Sequence, residues 1–191
     1  MKSEDTEGQY GRLEAVCSGI REEDWANNWK QYFKPFPVGK KLYIKPSWEE
    51  PTAAAEGRTI LEIDPASSFG TGQHHTTRLC LELMENEIVP DSTRLLDLGC
   101  GSGILSIAAL VLGAERASAV DIDPKAVAIA RANAEKADVE DAVRFEVADA
   151  AAFRRDAPYG RVVTNPPYGE RILEKREAEE LYRAFGRAVC T

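Results

Sequence analysis

Four short apolar runs constrain this chain more than any other feature, because each carries an acid or amide at or just beyond its carboxyl end. Arg94-Leu95-Leu96-Asp97-Leu98 leads into Gly99-Cys100-Gly101-Ser102-Gly103. Ala117 to Val120 leads into Asp121-Ile122-Asp123, Val143 to Val147 runs on to Asp149, and Arg161 to Thr164 ends at Asn165. Such runs, bounded by turn residues, read as buried strands. Between them lie helical patterns. Ile104 to Leu112 is stopped by Gly113, and Pro124 opens a helix to about Ala137 with Asp123 as its cap. Glu174 to Val189 reads as a further helix. Strands alternating with helices require crossover connections, and so a doubly wound, mostly parallel α/β sheet.

In such a sheet the ligand lies outside the carboxyl ends of the strands. Asp97, Gly99, Gly101, Gly103, Asp121, Ile122, Asp149 and Asn165 are therefore candidates for one binding site. Glycines let backbone approach a ligand with no Cβ in the way. Asp121 stands roughly 20 residues after the first of them, the usual place for a carboxylate that accepts both hydroxyls of a ribose. Asp149 suits an adenine amine. The turn is spaced G-x-G-x-G, not as the dinucleotide fingerprint, and Asp97 precedes it. That carboxylate would repel a pyrophosphate, whereas it attracts the sulfonium and ammonium of S-adenosylmethionine. The residues point to S-adenosylmethionine.

The 191 residues carry 24 basic and 32 acidic side chains, a net charge of -8. That length suits one α/β domain with a small appendage. The acidic balance argues against a general nucleic-acid or anionic-membrane face. The longest charge-free apolar run, Ile104 to Ala114, is too short to span a bilayer, and the polar start is no signal peptide. Cys17, Cys80, Cys100 and Cys190 are scattered, as expected of reduced thiols in the cytoplasm. His74 and His75 are the only histidines and lack carboxylates at ligand spacing, so no metal site is expected. Cys100 has no base partner for a nucleophile's role.

Upstream, Glu22 to Phe33 has helical spacing of its aromatics and is expected to end at Pro35 and Pro37. Lys41 to Lys45 and Thr59 to Ile63 read as strands, and Thr76 to Ile88 as a helix. Residues 1–63 are expected to form an N-terminal extension and linker, and residues 64–191 the ligand-binding domain.

The strand-end residues resemble those of class I methyltransferases, which have a Rossmann-like fold. From Glu22 to about Asp138 the chain more closely resembles the PrmA family, methyltransferases of large-subunit ribosomal protein 11. The matching segments are Glu23-Asp-Trp-Ala-Asn-Asn-Trp-Lys30, Tyr32-Phe-Lys-Pro-Phe36, Ile44-Lys-Pro-Ser-Trp-Glu-Glu50, Phe69-Gly70-Thr71-Gly72-Gln73-His74-His75-Thr76-Thr77, Asp97 to Leu105, and Val120 to Pro124. The resemblance implies methyl transfer to an amine of a ribosomal protein. It implies that the segment holding Phe69, Gly70 and Thr71 covers the cofactor, and that Thr77, Gly99, Asp121 and Asn165 contact it. From about Val143 the chain departs from that pattern. Asn165-Pro166-Pro167-Tyr168 resembles the RNA base methyltransferases that carry THUMP domains. There Asn165 and the Pro166 carbonyl would accept an amine's N–H bonds while Tyr168 stacks on a flipped base. A base substrate in RNA is thus the alternative, and a non-catalytic binding fragment a third reading. The class I sheet has seven strands, and four are legible here. The sheet is therefore expected to stop after the fourth, whose open edge would favour self-association.

Overall fold

A computed structural model of the chain describes residue 30 and residues 33–64, 72–150 and 175–189. The chain divides into Met1–Tyr32 and a unit beginning at Phe33, which contains every element below. The expected helix from Glu22 lies almost wholly outside the described residues, as do the expected fourth strand and Asn165-Pro166-Pro167-Tyr168.

The larger sheet consists of β4 (Arg94–Leu98), β5 (Arg116–Asp121) and β6 (Val143–Val147), all parallel in the order β4-β5-β6. Helix α2 (Ile104–Val111) lies over β4 and β5, α3 (Pro124–Lys136) lies over β5 and β6, and the two helices touch. Both crossovers thus put their helices on one face, forming one wing of a Rossmann-like sheet. Helix α2 buries Ile104, Ser106, Ile107, Ala108, Ala109 and Leu110, which explains its nearly unbroken apolar sequence. Helix α3 begins as its sequence requires. Pro124 takes the first turn, and the Asp123 carboxylate accepts from the Lys125 amide at 2.9 Å.

A second sheet precedes it, built from β1 (Phe36–Val38), β2 (Leu42–Lys45) and β3 (Thr59–Glu62). Strands β1 and β2 are antiparallel, while β2 and β3 are parallel. Strand β1 was not expected, because Pro35 and Pro37 read only as helix stops. An edge strand tolerates proline, whose missing N–H need not face a partner. Central β2 buries Leu42, Tyr43 and Ile44 completely, so its burial does not alternate as its sequence suggests. Tyr43 meets this burial by placing its hydroxyl 2.9 Å from Thr52 Oγ1 and accepting from the Thr52 amide at 3.0 Å.

Helix α1 (His75–Glu87) touches both β1 and α2. The Glu85 carboxylate accepts from the backbone amides of Lys40 and Lys41, each at 2.8 Å, at the β1–β2 turn. From the other side, Arg58 donates to the carbonyls of Val38, Gly39 and Leu42, the shortest bond being 2.8 Å. Helix α4 (Lys175–Val189) completes the described elements.

Glu85 and Arg58 hold one turn from two sides. Glu85→Ala is expected to cost about 1–2 kcal/mol, the usual worth of charged hydrogen bonds at a partly exposed site. Adding Arg58→Ala should cost less than it does alone, because the turn is already released. Denaturant unfolding of the four-member mutant cycle checks this; strict additivity would contradict it.

Candidate functional site

The carboxyl edge of the larger sheet is organised by one carbonyl. Val120 accepts from the Gly99 amide at 2.7 Å and the Cys100 amide at 3.0 Å, bending the chain out of β4 beside the end of β5. The turn then closes with Gly103 N–H to Cys100 O at 2.8 Å. Gly99, Gly101 and Gly103 all have positive φ, at 79°, 54° and 78°, where a β-carbon is strained. Their surroundings differ. A β-carbon on Gly99 or Gly101 would meet nothing within 4 Å among the described residues, so among these the two glycines face open space. One on Gly103 would lie 3.0 Å from Ala130 Cβ, so this glycine serves the packing of the turn on α3.

Asp121 ends β5 and faces the turn. Its Oδ2 accepts from the Gly101 amide and its Oδ1 from the Asp123 amide, both at 2.9 Å. These bonds fix the carboxylate and leave further lone pairs on both oxygens. The Ala148 amide bonds the Asp121 carbonyl at 3.0 Å, bringing the end of β6 alongside, with exposed Asp149 following it. Ile122 is 70% exposed and Val147 52% exposed at these two strand ends. Large apolar side chains left in solvent next to carboxylates suit a flat, partly apolar ligand group.

Asp97 lies within β4 and is buried, its Oδ2 accepting from Ser106 Oγ at 2.8 Å. Burial raises its pKa above the ordinary value; the Ser106 hydrogen bond opposes this, and the nearby Asp121 charge adds to the rise. No ion pair to Asp97 forms among the described residues. A buried carboxylate without a cation is the arrangement that a cationic ligand would relieve. Cys100 is also buried in the turn. Burial and the charges of Asp97 and Asp121 push its thiol up to about 12, so it stays protonated and is no nucleophile.

The Phe69-Gly70-Thr71 segment lies outside the described residues, and Gly72 is where description resumes. Gly72 is buried, with φ at 77°, and a β-carbon there would lie 2.7 Å from Ile104 Cδ1 and 3.3 Å from Ile44 Cδ1. Its side-chain hydrogen thus sits between the first residue of α2 and the small sheet. His74 then caps α1, its Nδ1 accepting from the Thr76 amide at 3.4 Å and lying 2.7 Å from Thr76 Oγ1. Thr77 stands half-buried in the first turn of that helix. Two residues not singled out by sequence make contacts that support the turn: Ser106 and Asn133. Ser106 and Asn133 sit in helical patterns where a small polar residue gives no signal of its own.

A family model described as "Ribosomal protein L11 methyltransferase (PrmA)" matches residues 1–165. The chain belongs to the PrmA family. The match reaches beyond the quoted motifs in both directions, through the third strand to Asn165. A ribosomal protein L11 methyltransferase of Thermoanaerobacter pseudethanolicus is 46% identical over 147 residues, covering 77% of this chain and 47% of that protein. One from Geotalea uraniireducens is 51% identical over 129 residues, covering 62% and 41%. The chain therefore spans less than half the length of these relatives. Among solved structures, ribosomal protein L11 methylase from Lactobacillus delbrueckii subsp. bulgaricus superposes with a TM-score of 0.51 at 28% identity, over 61% of this chain and 57% of that one. A possible methylase from Clostridium difficile 630 gives 0.50 at 28% identity, covering 58% and 40%. The α/β fold is thus that of the class I methyltransferases.

The raised Asp97 pKa has a stability consequence. The folded chain holds this proton more tightly than the unfolded one. Its contribution is therefore present below the unfolded pKa and lost as pH rises through the folded one. Above the ordinary carboxylate range the fold therefore carries the cost of burying this acid. Asp97→Asn keeps an acceptor for Ser106 and removes the titrating group. It should melt above the unsubstituted chain at pH 7, with the gap shrinking as the pH falls toward the ordinary carboxylate range. A melting series from pH 7 to pH 4 tests this, and a lower midpoint at pH 7 would refute it.

Proposed function

We propose that this chain binds S-adenosylmethionine and directs its methyl group to an amine nitrogen of a large-subunit ribosomal protein. The match to the PrmA family across the whole carboxyl edge carries this reading. The site's chemistry supports it. Gly99 and Gly101 offer backbone with open space beside it. Asp121 is held with acceptor capacity for the hydroxyls of a ribose. Ile122 and Val147 offer exposed apolar surface to an adenine ring, with Asp149 beside them for its amine. Asp97 offers a buried carboxyl group, without an ion-pair partner among the described residues, to the cationic end of the cofactor.

S-adenosylmethionine supplies the electrophilic methyl group when bound. The chain's own part is to hold and orient. The turn and Asp121 fix the nucleoside end, and Asp97 favours the cation. Asn165, with Pro166 and Tyr168, is assigned to orient the attacking amine. Phe69, Gly70, Thr71 and Thr77 are assigned to the cofactor's other side. A lysine amine, with an ordinary pKa of about 10.4, must lose its proton before attack. Orientation of that neutral amine is then the main source of rate. A ribosomal protein substrate places the reaction in the cytoplasm.

Asn165-Pro166-Pro167-Tyr168 also fits a planar base amine, so the test has two acceptors. Labelled S-adenosylmethionine is offered to the full chain with ribosomal protein L11 or with ribosomal RNA. Label is expected in the protein, rising with pH as the amine deprotonates. Label in RNA alone would replace the protein reading with the base reading. Calorimetry with S-adenosylhomocysteine should show binding that Asp121→Ala weakens at least tenfold and Asp97→Asn also weakens. Unchanged affinity in Asp121→Ala would remove the site assignment.

A further inference from the structure

Asn133, in the last turn of α3, is 1% exposed, and its side-chain hydrogen bonds all lead out of the helix. Its Nδ2 donates to the Asp64 carbonyl at 2.8 Å and to the Ser102 carbonyl at 2.9 Å. Its Oδ1 accepts from the Asp64 amide at 3.0 Å. Both donors and the acceptor are therefore used. One side chain joins the backbone of the glycine turn to the backbone just after β3. Asparagine is a weaker helix former than alanine, and burying an amide is costly unless every bond is made. A residue needed only to fill this space would better be apolar.

The neighbouring contacts explain what the amide holds. Gly103 rests on Ala130, one helical turn before Asn133, and Ser102 is itself buried. The buried face formed by Ala130, Asn133 and Ala134 is thus the bed on which the turn lies. The turn's outer side, at Gly99 and Gly101, meets none of the other described residues. Asp64 is also held through its side chain, which accepts from Lys136 and from the Ser47 amide.

We propose that Asn133 is a positioning residue for the cofactor-facing turn, fixing the 99–103 backbone by tying the Ser102 carbonyl to the chain at Asp64. The inference rests on the S-adenosylmethionine reading of the site. Asn133 touches no ligand in this scheme. It keeps the Gly99 and Gly101 backbone in one conformation before binding, so the ligand need not order the turn.

Asn133→Ala removes all three bonds, and the isosteric Asn133→Asp keeps only the acceptor. Asn133→Ser replaces Asn133→Ala if the latter does not fold. Val127→Ala, on the same helix and buried but outside the network, is the packing control. The readouts are S-adenosylhomocysteine affinity by calorimetry, the melting midpoint, and amide hydrogen exchange at Gly101 and Gly103. The Asn133 variants should lose affinity at least tenfold and exchange Gly101 and Gly103 at least tenfold faster. Val127→Ala should melt lower yet bind within about twofold of the unsubstituted chain. If the Asn133 variants bind no worse than Val127→Ala, Asn133 is only structural and the inference falls. If the unsubstituted chain binds no S-adenosylhomocysteine, the cofactor reading fails. The exchange data then decide alone: unchanged exchange at Gly101 and Gly103 overturns the positioning role, and faster exchange upholds it.

Discussion

The pairing of β4 with β5 is the constraint on which the rest of this molecule depends. Their parallel register puts Leu98 opposite Val120, and the Val120 carbonyl takes the first two amides of the glycine turn. A slip of one residue would present the other face of β5 and remove that carbonyl from the turn. The same pairing leaves Asp121 at the strand end, where its carboxylate captures the Gly101 amide. The shape of this carboxyl edge is therefore a property of a sheet register. The glycines permit that shape, but a backbone bond imposes it.

The small N-terminal sheet takes part in this arrangement. Glu85 of α1 seizes the β1–β2 turn, Gly72 is wedged against Ile104, and Asp64 is bonded to Asn133. Lys45 and Glu62, paired across β2 and β3 at 2.7 Å, hold the strand ends that lead to Asp64. The ion pair is modest, since its groups are partly solvated. Together these contacts bring the chain around Asp64 and Gly72 to the carboxyl end of the glycine turn, at Ser102 and Ile104. The buried carboxyl group of Asp97 shows the opposite balance: its raised pKa means that its burial weakens the fold as the pH rises above the ordinary carboxylate range.

Much of the fold was legible in the sequence. Strand β4 and strand β6 have the bounds that their apolar runs suggest, and α3 starts at Pro124 as its cap and proline require. Strand β1 was not legible, because proline at an edge looks like a stop signal when the neighbouring strand is unknown. The interior position of β2 was equally hidden. Lys41-Leu-Tyr-Ile-Lys45 looks half-buried, and only the layers on both faces make it a core strand.

The sequence by itself determined the class of fold and the list of residues at the strand ends, because periodicity and turn chemistry are local. It carried Asp97, Asp121 and Asp149 and the glycine spacing, which lie together at the carboxyl edge of the sheet. Only the tertiary structure decided which glycine faces open space and which faces Ala130, and what holds the turn in place. Asn133 follows Asp64 by many residues and Ser102 by fewer, and nothing local relates them. Their contact exists because α3 crosses back over the sheet, and hydrogen bonds made at that distance leave no periodic trace in the chain.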